Sequence, residues 1–93
     1  MSTQLPGGWS SFDFTLSPEA KHVLETAVAG LLGVKYTAFA FATQVVAGTH
    51  YSFLCEAISV TRSPSTHVVK MRIFQSLDSK QAPTIVSIET IAP

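Results

Sequence analysis

Two stretches in which apolar and other residues alternate, Tyr36–Thr43 and Thr49–Glu56, flank the uncharged run Gln44-Val45-Val46-Ala47-Gly48. Period-two alternation places successive side chains on opposite faces of a strand. A short Gly-containing join between two such runs reads as a β-hairpin. This pairing constrains the chain more than any other feature, because it fixes a sheet and one of its tips. Hairpin tips are ordinarily built from Asn, Asp or Ser, whereas this one carries Val45, Val46 and Ala47. Two readings follow. Either the valines lie within a strand and face a core, or the sheet holds out a stiff apolar loop able to enter a partner's cleft.

The remaining segments fall into place around the hairpin. Trp9 to Leu16 alternates loosely through Phe12, Phe14 and Leu16, as a short strand feeding a helix would. Ser17 suits the N-cap, Pro18 the first helical position, and Glu19 the positive end of the helix dipole. The stripe Ala20, Val23/Leu24, Ala27/Val28, Leu31 has helical spacing, with Lys21, His22, Glu25 and Thr26 on the wet face. With Gly33 as the C′ residue, the helix runs to roughly 15 residues. Strand 34–44 then places Phe39 and Phe41 on one face and Ala38, Ala40 and Ala42 on the other. Strand 49–60 groups Tyr51, Phe53, Cys55 and Ala57 against Ser52, Leu54 and Glu56. Arg62-Ser63-Pro64-Ser65 is a turn. Strand 67–77 sets Val69, Met71 and Ile73 opposite Lys70 and Arg72, Asp78–Gln81 turns again, and Thr84–Ile91 is a last, edge-like strand.

These elements define an α+β fold, with one helix packed across an antiparallel sheet of four to five strands. Residues 1–93 form a single domain. In a meander, alternate hairpins open at the same end, so the 44–48 and 77–82 loops lie side by side and the 61–66 turn lies far away. The formal net charge of zero argues against nucleic-acid binding, which needs a basic stripe. No apolar run approaches the ~20 residues of a membrane-spanning helix. The N-terminus has neither the basic region nor the apolar core of an export signal. Cys55 is the lone cysteine, so no intramolecular disulfide can form. It shares the apolar parity of Tyr51 and Phe53, as a buried core thiol does rather than a nucleophile. His22, His50 and His67 lack metal-ligand spacing, and no cofactor or metal is expected. Convergent acid/base pairs are missing, so the chain does not read as an enzyme.

Gln44-Val45-Val46-Ala47-Gly48 followed by Thr49-His50-Tyr51 resembles the first inhibitory hairpin of the cystatin superfamily, most closely the stefin branch. Leu5-Pro6-Gly7-Gly8 resembles the stefin N-terminal trunk, Ser17-Pro18-Glu19 the start of the stefin helix, and Met71–Leu77 the strand that leads into the second inhibitory hairpin. The pieces occur in the family's order and span nearly the whole chain. The resemblance implies a cystatin-like fold and reversible, tight inhibition of papain-like cysteine proteases of cathepsin type. The protease-binding residues would be Leu5, Pro6, Gly7 and Gly8 at one flank, and Gln44, Val45, Val46, Ala47 and Gly48 in the centre. Leu77, Asp78 and Ser79 would form the other flank. Gly7 would let the trunk turn away from the catalytic cysteine, so that no peptide carbonyl is presented to it, and Leu5 and Pro6 would occupy non-primed pockets. The resemblance further implies a cytoplasmic protein that is a monomer when active. Straightening of the 44–48 loop would give a domain-swapped dimer, releasing strain stored by the valines.

The chain also departs from the family. The stretch from Glu19 to Gln44 is shorter than in a stefin, the link between the second and third strands is longer, and Asp78 stands where stefins commonly place Pro. Trp9 is bulkier than expected after the glycines, and it would either pack beneath the trunk or touch a partner. His50 adjoins the binding loop and would tune affinity with pH. Leu54 and Ile58 read as ordinary surface apolars. The alternative function is a cystatin-fold interaction module without inhibitory activity, because a fold does not fix a function.

Overall fold

The computed structural model describes residues 8–78 and 80–92. Leu5, Pro6, Gly7 and Ser79 lie outside the described residues. The element order is α1 (Pro18–Val28), β1 (Val34–Val45), β2 (Gly48–Ser59), β3 (Thr66–Ser76) and β4 (Thr84–Ala92). The strands form one four-stranded antiparallel meander in the order β1-β2-β3-β4, with the helix on one face. This is the α+β layout read from the sequence, with strand bounds within about a residue of expectation. Among the described residues no helix is long and apolar enough to cross a membrane.

The start of α1 follows its sequence signals. Ser17 keeps extended dihedrals, its Oγ accepts the Ala20 backbone N–H at 3.1 Å, and Pro18 opens the helix. The helix is 11 residues rather than 15, and its C-cap is Ala29, not the residue before Gly33. Gly30 explains the early stop, since glycine costs about 1 kcal/mol in a helix interior, and no basic residue supports the last turn. Gly33 instead takes φ +87 to lead the chain into β1, where its carbonyl accepts the Val60 N–H at 2.9 Å. Leu31 accordingly leaves the apolar stripe and is exposed.

The core lies between α1 and the near face of the sheet. Ala20, Val23 and Leu24 pack over Tyr51, Phe53, Cys55, Ala57, Val69, Met71 and Ile73. The β2 and β3 parities are those the alternation predicts. The β1 parity is not. Ala38 pairs with Cys55 and Phe41 with Phe53, while a register shift falls between Ala38 and Ala40. A bulge adds one residue and flips the parity after it, so Ala38 shares the core face with Phe41, and Phe39 is exposed. Trp9–Leu16 is not a continuous strand either. It makes isolated bridges from Trp9 to Gln44 and from Asp13 to Phe41, along the free edge of β1. Asp13 Oδ1 accepts the Thr15 N–H at 2.9 Å, and this local turn ends the pairing and directs the chain toward the helix.

Candidate functional site

Strand register brings the segments singled out by sequence to one end of the sheet. The Trp9↔Gln44 bridge sets Gly8 beside the end of β1, and the Gly48↔Ser76 pair sets the first hairpin beside the β3–β4 loop. At this end Val45 is 58% exposed, Val46 48% and Leu77 79%. Neither valine is buried. Val45 is the last residue of β1, paired with Thr49, and Val46 lies in the connection beyond it. Three apolar side chains thus stand in solvent on one edge.

The hairpin tip is shaped by backbone, not by polar side chains. Val46 N–H donates to the Gly48 carbonyl at 3.0 Å, and Ala47 adopts φ +47, the single positive φ among described non-glycine residues. Strain in this loop therefore sits on Ala47 and not, as the sequence suggested, on the valines. Gly48 combines φ +132 with very close packing. A Cβ there would come 2.7 Å from the Phe74 ring and 2.8 Å from the Gln75 carbonyl oxygen. Gly48 is buried, and its missing side chain lets the loop seat on β3. Gln44 is half-buried beside Trp9, and Ala47 is exposed.

The second loop is held by its own polar groups. Asp78 Oδ1 accepts the Lys80 N–H at 3.0 Å, the Asp78 N–H donates to Ser76 Oγ at 3.1 Å, and the Gln81 N–H returns to the Asp78 carbonyl at 3.0 Å. Aspartate caps the turn in this way, which gives Asp78 a physical role in place of a proline. Gln75 Nε2 donates to the Gln81 carbonyl at 3.1 Å and so ties the far side of the loop to β3. Behind the loop, a cleft of about 390 Å³ separates Gln75, Lys80 and Pro83 from His22 and Thr26 of α1. The second loop is backed by this space, whereas the first is backed by Phe74.

Other candidates resolve simply. Cys55 is fully buried, and burial pushes its thiol pKa up to about 12, opposite to what a nucleophile requires. His50 packs its ring against Phe74, 4.7 Å between centroids. Leu54 and Ile58 are half-buried on the outer face. Trp9 is half-buried with the Arg72 guanidinium 5.3 Å from its ring centre, so it packs on the sheet's outer face. Sequence reasoning missed the supports, Phe74 and Gln75. Both lie in a strand-forming run, and nothing in residue type alone distinguishes a loop's backing from an ordinary strand position.

No family model, no curated protein and no solved structure matches the chain.

Proposed function

We propose that the chain is a reversible, tight-binding inhibitor of papain-like cysteine proteases, occupying the active-site cleft with its N-terminal trunk, the 44–48 hairpin and the 77–79 loop. The observation that carries this reading is the convergence of exposed Val45, Val46 and Leu77 on one edge through the Gly48↔Ser76 pairing. A wedge of this kind gains affinity by burying apolar surface on a loop already ordered before contact. That limits the ordering cost which weakens most interfaces. The backing of Gly48 by Phe74 and the Asp78 turn supply that order. No bond to the protease cysteine is needed, and inhibition is reversible.

The test is a titration of papain with the intact chain, following residual activity. Activity should fall to zero near a one-to-one ratio, and the chain should remain uncleaved. Deleting residues 1–6 should weaken inhibition without changing the circular dichroism spectrum. Full papain activity in a large excess of the chain would overturn the proposal and leave a binding module without inhibitory activity, as would steady cleavage after Gly7.

A further inference from the structure

The face of the sheet turned away from α1 carries a second built feature. Trp9, Ser10 and Phe12 wall a cleft of about 120 Å³ that is completed by Ala42, Ser52, Lys70 and Arg72. Ser52 pairs with Arg72 across β2 and β3, and Lys70, two residues along β3, projects to the same face. The Arg72 guanidinium lies against Trp9, and its Nε is buried with no hydrogen-bond partner. Ser52 is the one buried polar residue among those described, at 4% exposure. Among the described residues no carboxylate lines the cleft. Glu89, opposite Lys70 in the register, is exposed and stands outside it.

We propose that this cleft binds a single oxyanion group, carboxylate or phosphate, between Arg72, Lys70 and Ser52, beside Trp9. The cleft gathers two cationic side chains and a hydroxyl, with no acidic residue among its described lining to balance them. The guanidinium fork matches the paired oxygens of a carboxylate or phosphate, lysine adds a mobile charge, and the serine hydroxyl adds a third donor. Size sets the ligand class. Pockets for drug-sized ligands run to roughly 300–1,000 Å³, so this cleft admits one anionic group and not a whole nucleotide. The site lies on the sheet's outer face and does not rest on the inhibitor reading.

Trp9 is the chain's one tryptophan, so intrinsic fluorescence reports the cleft directly. The experiment titrates the intact protein with inorganic phosphate and, separately, with acetate, holding ionic strength constant with chloride. A saturable change with half-saturation at about 1 mM or below is expected from at least one anion. Saturation by phosphate alone assigns a tetrahedral ligand, and saturation by acetate a planar one. Lys70→Gln should weaken the response about tenfold, the loss of one charge-assisted contact, and Arg72→Met should abolish it with the circular dichroism spectrum retained. If Arg72→Met does not fold, Lys70→Gln and Ser52→Ala decide the matter. A response to phosphate and acetate no different from that to chloride, or half-saturation unchanged in Lys70→Gln and Ser52→Ala, would overturn the proposal.

Discussion

Gly48 and Cys55 show what single atoms decide in this fold. Any side chain at residue 48 meets both an unfavourable φ of +132 and a Cβ within 3 Å of the Phe74 ring and the Gln75 carbonyl. Gly48→Ala should therefore destabilise the protein by about 3 kcal/mol, combining backbone strain with overpacking; urea unfolding measures it. Cys55 acts through protons. In the unfolded chain its thiol ionises near pH 8.5, whereas in the fold it keeps its proton to about 12. The unfolded state thus binds fewer protons across this window. The thiol's contribution is complete below the lower value and is lost as pH rises toward the upper one. Tyr51, raised by burial and by the charge of Glu19, adds to the loss further up the scale. Unfolding midpoints should fall from pH 8.5 upward, and Cys55→Ala should flatten the slope. A midpoint constant to pH 11 would refute this account.

At the scale of elements, the two loops differ in what stands behind them. The 45–48 hairpin is seated on Phe74, whereas residues 80–83 of the second loop border the cleft of about 390 Å³. Under the inhibitor reading the first loop contributes more. Val45→Asp with Val46→Asp should weaken papain inhibition by at least a hundredfold, and Leu77→Ala by about tenfold, corresponding to about 3 and 1.4 kcal/mol. Equal losses from the two loops would contradict the ranking. The strands, the helix start and the shared end of the two loops were legible in the sequence, because alternation, a Ser-Pro-Glu cap and meander connectivity act locally. The β1 bulge was not, since inserting one residue at Phe39 leaves the alternation on either side intact and shows only against β2. The helix end was misread for a similar reason. Gly30 and Gly33 are both plausible stops, and tertiary placement of Gly33 at the start of β1 decides between them.

For the whole molecule, the meander makes exchange of halves inexpensive. If residues 45–48 straighten, β1 and β2 become one strand, and the same core contacts re-form between two chains. Ala47 at φ +47 supplies the local incentive, about 1 kcal/mol regained when it relaxes. Partial unfolding should yield a slowly formed dimer by light scattering. Under the inhibitor reading that dimer should not inhibit papain, and Ala47→Gly should shift the balance back to monomer. A fully inhibitory dimer would show that the hairpin is intact in it. The connection between β2 and β3 has the opposite character. Residues 60–65 are all exposed, and the 11 residues of β3 separate them from the edge that carries Val45, Val46 and Leu77, about 35 Å at 3.3 Å per residue. With Cys55 sealed in the core, Ser63→Cys would create the one thiol a maleimide can reach. The protein can therefore carry a dye, or be tethered to a bead, by its remote end, with its exposed valines facing outward.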